Sequence, residues 1–234
     1  MFELTNIVAG YEDSVVLRGI DLRVPPGTVV ALLGPNGAGK TTTLRVASGL
    51  LRPIDGEVRL DGRSLTGHST DSFARAGICH IPEGRAIFRS MSVRENLLLQ
   101  APPGEEGDAV AKAVDAFPRL GERLEQRAGT MSGGEQQMLA MARAYLSNPS
   151  YVFLDEVSLG LAPKVIDEIF AFLRRLADQG VALLLVEQYV TRALAIADFA
   201  FILSQGEIVF AGEPGELDEA EVFRTYVGAD VTHA

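Results

Sequence analysis

Two hydrophobic patterns divide this chain, and each predicts a different kind of structure. Near the start, short stretches of alternating apolar and polar residues are separated by turn residues; they are FELTNIV, GIDLRV and GEVRLDG. A period of two residues is typical of half-buried strands, so these stretches predict antiparallel strands at one edge of the fold. From Thr28 onward, apolar strands alternate with segments of helical periodicity. This second pattern favours an α/β body.

The α/β pattern runs through two separate parts of the chain. In the first part, residues 28–33 predict a buried strand, and TTTLRVASGL predicts a helix that ends near Gly49. In the second part, which begins at Tyr151, the alternation returns. Its predicted elements are strand YVFLDE, helix PKVIDEIFAFLRRLADQG, strand VALLLVE, helix TRALAIAD, strands FAFIL and EIVFAG, and a helical tail around EAEVFRTYV.

Between these two parts, residues 84–148 carry few strand signals and predict a helical lobe. The hydroxyl of Ser92 can cap a helix while Glu95 reaches back, as in a capping box. APPGEEGDA is typical of a solvated loop, and helical spacing resumes through AVAKAVDAF and RLGERLEQR. We therefore predict a single domain, with residues 1–83 and 149–234 as an α/β core plus β subdomain and residues 84–148 as a helical subdomain.

Composition limits the classes of function. The chain has 234 residues, of which 47% are hydrophobic, and this is enough for one sizeable domain. Aspartate and glutamate outnumber lysine and arginine by 31 to 21, giving a formal charge of -10, which argues against a nucleic-acid partner. The single cysteine, Cys79, has no internal disulfide partner and suits a buried strand in a reducing cytoplasm. No long apolar run occurs, so we expect any membrane role to come through a partner.

The most specific motif is GPNGAGKT, residues 34–41, which has the spacing of a phosphate-binding loop between a strand and a helix. Its three glycines let the backbone turn tightly with N–H groups inward and leave room for phosphate oxygens. Lys40 adds a charge for the β and γ phosphates, and the Thr41 hydroxyl is a candidate ligand of Mg²⁺. The expected nucleotide-binding residues are Gly34, Pro35, Asn36, Gly37, Ala38, Gly39, Lys40, Thr41 and Thr42.

An acidic pair follows the predicted strand YVFLDE. Asp155 and Glu156 would then lie at the carboxyl end of a central strand, the edge where parallel sheets bind ligands. We expect Asp155 to hold Mg²⁺ and Glu156 to polarise a water molecule for in-line attack on the γ phosphate.

A second candidate anion site lies in MSGGEQQMLAMARAYL, residues 131–146. Ser132, Gly133 and Gly134 open a predicted helix, and the amino end of a helix attracts anions. The two glycines are expected to leave its N–H groups uncovered. Since the chain already has one phosphate site, this second site is most useful against a nucleotide held by another subunit.

Taken in order, GPNGAGKT, SGGEQQ and FLDE resemble the ATP-binding cassette (ABC) family over nearly the whole chain. The resemblance implies a P-loop NTPase, RecA-like α/β core with an antiparallel β edge subdomain and an inserted α-helical subdomain. It also implies that two cassettes face head to tail, so that Ser132, Gly133 and Gly134 act on the ATP of the other subunit. Tyr11 matches the position where an aromatic ring stacks on adenine; a tyrosine in an ordinary turn is the other interpretation.

Three positions depart from the general family pattern. Glu83 stands where most cassettes have glutamine, and it can still ligate Mg²⁺ or orient water. Gln188 stands where most have a catalytic histidine; it can donate a hydrogen bond to the γ phosphate but cannot become cationic, and a slowly hydrolysing site is the alternative. Val157 replaces a usual proline with little expected effect. PEGR followed by IF and VREN, VEQ in place of a histidine, and SLGLAP are together similar to one subgroup, the ATP-binding subunits of branched-chain amino acid importers and their urea or amide relatives.

The resemblance implies an ATPase, with ATP and Mg²⁺ as cofactors, at the cytoplasmic face of the cell membrane. The implied partners are permease subunits, a second ABC ATPase subunit that is identical or homologous, and indirectly an external solute-binding protein. Residues 85–96 are where the family contacts its permease, with Phe88 and Met91 as candidate contacts or as ordinary lobe packing. The rival hypotheses are a soluble cassette acting on nucleic acid or ribosomes, and a cassette that uses ATP mainly as a dimerisation clamp.

Overall fold

The computed structural model of the protein describes residues 1–84, 86–101, 104–187 and 189–217. Its strands are β1 (Phe2–Tyr11), β2 (Ser14–Val24), β3 (Val29–Leu33), β4 (Asp55–Leu60), β5 (Arg63–Ser64), β6 (Ile78–Ile81), β7 (Tyr151–Asp155), β8 (Ala182–Val186), β9 (Phe199–Ser204) and β10 (Glu207–Gly212). Its helices are α1 (Lys40–Ala47), α2 (Thr70–Arg75), α3 (Val93–Leu98), α4 (Glu106–Ala116), α5 (Pro118–Gly121), α6 (Gly133–Leu146), α7 (Pro163–Asp178) and α8 (Val190–Ile196). Two 3₁₀ turns lie at Ala128–Thr130 and Pro214–Glu216.

The strands form two sheets. The larger sheet has the order β10-β9-β3-β8-β7-β6, and every neighbouring pair in it is parallel except β10 with β9. The smaller sheet is antiparallel, with the order β2-β1-β4-β5. The two sheets meet where the Arg18 N–H donates to the Gly206 carbonyl at 2.9 Å. This arrangement confirms the predicted α/β fold with an antiparallel edge.

The continuous apolar runs in β3, β7 and β8 have a simple cause, because both faces of the larger sheet are covered. In β7, Val152 and Leu154 pack on the side of α6 and α7, whereas Phe153 points to the other side and contacts Phe2 of the smaller sheet. The rings of Phe2 and Phe153 lie 5.0 Å apart, edge to face. A strand buried on both faces loses the alternating pattern that marks a strand with one solvated face.

Helices α3 to α6 pack together and share one apolar cluster with α7 and one face of the larger sheet. This is the predicted helical lobe, although its outer bounds at residues 84 and 148 stay a prediction. Within the lobe, Ser92 caps α3 and Glu95 completes the capping box, as the sequence predicts.

Two predictions within the lobe were wrong in part. Residues 106–109 of the expected loop APPGEEGDA form the first turn of α4, because Glu106 and Asp108 favour the positive end of the helix dipole. Residues 122–127 of the expected helix RLGERLEQR are not helical: they form turns and a bend, and Arg127 makes an isolated bridge with Ser92. Here the carbonyls of Leu124 and Gln126 accept the N–H groups of Arg94 and Val93, so contacts with α3 replace helical hydrogen bonds.

The predicted tail around EAEVFRTYV lies outside the described residues. Among the described helices, none is long and apolar enough to cross a membrane.

Candidate functional site

The phosphate-binding loop, the acidic pair and Glu83 lie at the edge of the larger sheet where its parallel strands end. In the pairing of these strands, Ile81 lies opposite Leu154, and Val186 lies opposite both Asp155 and Leu32. The loops that follow β3, β6, β7 and β8 therefore leave the sheet side by side. This is the edge at which open α/β sheets bind ligands.

The phosphate-binding loop, residues 34–41, connects β3 to α1 with the turn that its glycines predict. Gly34, Gly37 and Gly39 all have positive φ angles, of 151°, 79° and 112°. A Cβ atom on Gly34 would lie 2.1 Å from the carbonyl oxygen of Leu203, and one on Gly39 would lie 2.7 Å from the side chain of Leu17. Only at Gly37, of these three, would a Cβ meet nothing within 4 Å. Two of the glycines thus let the loop pack against neighbouring strands, a reason that the sequence analysis missed.

Lys40 is the first residue of α1 and is 5% exposed. Its ammonium group donates to the carbonyl oxygens of Gly34 and Pro35 at 2.9 and 3.0 Å, so the side chain lies back along the loop. Burial lowers the pKa of Lys40, and the nearby negative charges of Glu156 and Asp155 oppose that shift. The loop therefore holds its cation close to the acidic pair. Asn36 is exposed, whereas Pro35 and Ala38 in the loop and Thr42 just beyond it are buried.

Thr41 and Asp155 link the phosphate-binding loop to β7. The Thr41 hydroxyl donates to the Asp155 carboxylate at 3.3 Å, and Asp155 is only 2% exposed. Burial raises the pKa of Asp155, the Thr41 hydrogen bond opposes this, and the charges of Glu156 and Glu83 raise it further. The Thr41 hydroxyl and the Asp155 carboxylate provide neighbouring oxygen donors, which are the ligands that suit Mg²⁺.

Glu156 follows directly after β7 in an unusual backbone conformation. Its φ angle is 47°, in the left-handed region that residues other than glycine seldom adopt. Its N–H donates to the Val186 carbonyl at 2.8 Å, which fixes the turn against the end of β8. Such strain is characteristic of functional sites, where surrounding contacts maintain it.

Of the two expected site residues Glu83 and Gln188, the structure describes only Glu83. Glu83 is exposed, two residues beyond β6, and its charge acts on Asp155. It therefore lies at the same edge as the acidic pair. Gln188 lies outside the described residues, so its proposed role stays a prediction.

The SGG segment begins α6, with Ser132 as the N-cap. The Ser132 N–H and hydroxyl both donate to the Glu135 carboxylate at 2.9 Å. Burial works to raise the pKa of Glu135, but these hydrogen bonds and the charge of Arg123 outweigh it and lower that pKa. A Cβ atom on Gly134 would lie 2.8 Å from Val165 of α7. Gly134 is therefore buried and permits close helix packing, a role that the motif alone did not predict, whereas Gly133 is half-buried.

Tyr11 lies at the end of β1 and is 40% exposed. Arg45 of α1 donates to its hydroxyl at 3.0 Å, and the guanidinium carbon lies 5.7 Å from the ring centre. The contact ties the tyrosine to the helix that begins at the phosphate-binding loop. Sequence reasoning missed Arg45, and no spacing rule links it to a tyrosine on another element.

Sequence reasoning also missed Glu187. This residue is 1% exposed, and its carboxylate accepts hydrogen bonds from both the N–H and the hydroxyl of Ser158. The available signal was an acid at the end of the apolar strand VALLLVE.

Together, these residues place a cation, an oxygen donor set and a strained glutamate at one sheet edge. The positive charge of Lys40 and the N–H groups of the loop can stabilise a polyphosphate, while Glu156 can accept a proton from water. The arrangement suits phosphoryl transfer to water.

Comparisons with known proteins agree with this chemistry. The model of the family described as "ABC transporter" matches residues 17–158. The branched-chain amino acid transport ATP-binding protein BraG of Pseudomonas aeruginosa is 42% identical over 212 residues, covering 89% of this chain and 91% of that protein. LivF of Archaeoglobus fulgidus, described as a probable branched-chain amino acid transport ATP-binding protein, is 37% identical over 95% of this chain and 96% of its own length. The lipopolysaccharide export ATP-binding protein LptB of Escherichia coli is 32% identical over 96% of both chains.

Solved structures give the same result. An ATP-binding subunit of an ABC transporter is 26% identical, with a TM-score of 0.84 over 95% of this chain and 98% of that one. A dimeric ATP-binding cassette in a post-hydrolysis state, bound to ADP and phosphate, has the same fold, with a TM-score of 0.83 over 92% of this chain and 99% of that one, at 23% identity.

Proposed function

The chain belongs to the ABC transporter family, and from that membership we propose that it powers an importer of branched-chain or other amino acids. It is an ATP-binding subunit with ATPase activity coupled to transport. The observation that carries the proposed substrate class is the 42% identity with BraG, compared with 32% for the exporter subunit LptB, each over most of this chain.

In the proposed reaction, the phosphate-binding loop and Lys40 hold the phosphates of ATP. Glu156 accepts a proton from the water that attacks the γ phosphate in line, and Gln188 donates a hydrogen bond to that phosphate. The charge of Lys40 stabilises the negative charge that the transferred group carries in the transition state. The contact between Tyr11 and Arg45 supports a role for Tyr11 as the platform for adenine.

A Mg²⁺ ion fits the residues present. Thr41, Asp155 and Glu83 would hold it, since the Thr41 hydroxyl lies 3.3 Å from the Asp155 carboxylate and the charge of Glu83 acts on that same carboxylate. When bound, the ion would neutralise charge on the phosphate oxygens.

We further propose that the complete site needs a second cassette, identical or homologous. The SGG helix of that second subunit would face the phosphates held by the first, with the loop of residues 158–161 at the seam between them. Leu159 in this loop is 42% exposed and available to a partner. Closure of the pair on ATP would be the step that does work on the permease.

The proposed permease contact lies in the helical lobe. Phe88 is 49% exposed, and Asn96 holds it in place by accepting from its N–H and donating to its carbonyl, both at 2.9 Å. Met91 is half-buried, so it is a weaker candidate than Phe88. Docking there would hold the chain at the cytoplasmic face of the membrane, in a system that also includes an external solute-binding protein.

Uptake of radiolabelled leucine, isoleucine and valine tests the substrate class in cells that carry this chain as their only copy. With Glu156→Gln, we expect uptake to fall to background, because ATP turnover stops. The matched control is Glu122→Gln, since Glu122 is exposed on the helical lobe. If cells with Glu156→Gln keep normal branched-chain uptake but lose uptake of urea or amides, that result would favour the alternative importer of the same subgroup.

Purification of the chain from membranes, with mass spectrometry of the attached subunits, identifies the permease.

A further inference from the structure

A buried carboxylate connects two loops of the candidate site. Glu187 directly follows β8, and Ser158 lies three residues beyond β7; their exposed fractions are 1% and 0%. The Ser158 N–H donates to one oxygen of the Glu187 carboxylate at 3.2 Å, and the Ser158 hydroxyl donates to the other oxygen. Both oxygens of the Glu187 carboxylate therefore accept hydrogen bonds from Ser158.

Residues with proposed roles lie on both sides of this contact. On one side, Glu156 donates its N–H to Val186, the residue before Glu187, and its carbonyl accepts from Leu159 at 3.2 Å. On the other side, Glu187 precedes Gln188 in the chain. The Glu187–Ser158 contact thus links the turn that holds Glu156 in its left-handed conformation to the loop of residues 158–161.

Because this contact is buried, breaking it costs free energy. A carboxylate inside a protein is costly unless charge-assisted hydrogen bonds satisfy it, and a buried N–H that loses its acceptor is costly as well. The two groups therefore favour one position of the loop over others. A flexible link at the same place, such as a solvated turn, would impose no such preference.

We propose that Glu187 is a positioning residue for ATP hydrolysis. By accepting two hydrogen bonds from Ser158, it fixes the loop of residues 158–161 relative to Glu156. In this way it couples the two sites of the paired cassettes. This inference rests on the proposed function, since it needs a paired, hydrolysing cassette. Glu187 itself acts through Ser158 and touches no substrate.

The test is steady-state ATPase kinetics of the purified full chain, with ATP binding and Tm measured in parallel. Glu187→Ala removes both acceptors, so we expect kcat to fall about 10-fold or more while KM for ATP changes less than about twofold. Ser158→Ala removes only the hydroxyl donor and should lower kcat about threefold. In wild-type protein the rate should depend sigmoidally on ATP concentration, and in Glu187→Ala the Hill coefficient should fall to about 1.

Three further variants make the test specific. Glu187→Gln keeps an oxygen for the Ser158 N–H and an amide that can donate to the Ser158 hydroxyl, so it should lose only about twofold. The double variant Glu187→Ala/Ser158→Ala should be no slower than Glu187→Ala, because both changes break one contact. Asp198→Ala is the matched control: the Asp198 carboxylate also accepts a backbone N–H, from Val29 at 2.8 Å, but at the opposite end of the sheet.

Several results would overturn the inference. Glu187→Ala with wild-type kcat and Hill coefficient would do so, as would additive losses in the double variant. If Glu187→Ala does not fold, Ser158→Ala and Glu187→Gln decide, and a wild-type kcat in Ser158→Ala contradicts the role of the Glu187–Ser158 contact. Wild-type protein that binds ATP without hydrolysing it would overturn the proposed function as well, whereas hydrolysis that is indifferent to Glu187 overturns this inference alone.

Discussion

At Lys40, burial and two carboxylates shift the pKa of the side chain in opposite directions. Burial lowers its pKa, and Glu156 and Asp155 counteract this. A buried cation beside backbone N–H groups is well placed to bind an anionic phosphate, while the two acids keep that cation protonated.

Replacing Lys40 with alanine tests this role. We expect Lys40→Ala to weaken ATP binding about 10- to 100-fold, because a charged hydrogen bond contributes roughly 1.5–3 kcal/mol. Titration calorimetry measures the change. Lys112→Ala is the control, since Lys112 is exposed and pairs with Glu105 at 3.6 Å on α4. Equal affinity in the two variants would contradict the role of Lys40.

Glu156 is the residue that we expect to activate water. Glu156→Gln keeps the side-chain shape but cannot accept the proton, so ATP should still bind while the rate of phosphate release falls at least about 100-fold. The variant should also remain a dimer in the presence of ATP. Phosphate release and sedimentation on the same samples check both points, and undiminished turnover would remove Glu156 from this role.

His80 gives the fold a pH dependence. Burial, and secondarily the charge of Arg45, lowers the pKa of His80 to about 4 from its usual 6.5. The native state therefore keeps His80 neutral where the unfolded chain binds a proton. The resulting stability is complete above about pH 6.5 and is lost as the pH falls towards about 4.

We expect wild-type protein to lose roughly 2 kcal/mol more stability than His80→Gln between about pH 7 and about pH 5. Urea unfolding at both pH values measures the difference. The comparison cancels the contribution of Asp155, whose raised pKa is present in both proteins. Parallel pH curves for the two proteins would show that His80 ionises equally in both states.

At the scale of elements, the docking hypothesis concerns the segment between β6 and α3. Phe88 exposes half of its ring and lies under the guanidinium of Arg143, with 4.9 Å between the guanidinium carbon and the ring centre. An exposed aromatic side chain held in place by neighbours is typical of an interaction surface.

Phe88→Ala should leave the ATPase rate of the isolated chain unchanged and weaken binding to the permease about 10-fold, because the ring would bury apolar area worth about 1–2 kcal/mol. Pull-down from solubilised membranes with a titrated bait measures this. Leu50→Ala is the control, as Leu50 is 58% exposed beyond the end of α1. Equal losses in the two variants would contradict a specific contact at Phe88.

Element types were predictable where the pattern was long or the cap was complete. Ser92 and Glu95 mark the start of α3, and the apolar runs mark β3, β7 and β8. The turns at residues 122–127 were not predictable, because hydrogen bonds to Val93 and Arg94 decide them and those partners are distant in sequence. The same holds within the site, where motif spacing predicted Lys40 and Asp155 but gave no sign of Arg45.

At the scale of the whole molecule, the two sheets and the helical lobe bring phosphate loop, acidic pair and SGG helix onto one chain. The formal charge of -10 agrees with a partner that is a protein rather than a nucleic acid. In the proposed function the site is nevertheless shared, since each subunit would supply the phosphate-binding loop for one ATP and the SGG helix for the other.

Mixing two inactive variants tests this sharing most directly. Lys40→Ala impairs the phosphate-binding loop, and Ser132→Arg fills the SGG segment, so each variant alone should have no ATPase activity. When the two are mixed in equal amounts, half of the dimers pair unlike subunits and each of these keeps one intact site. We expect the mixture to regain activity, up to about a quarter of the wild-type rate, which is the value for two sites that turn over independently. A mixture as inactive as its components would contradict a site built from two subunits.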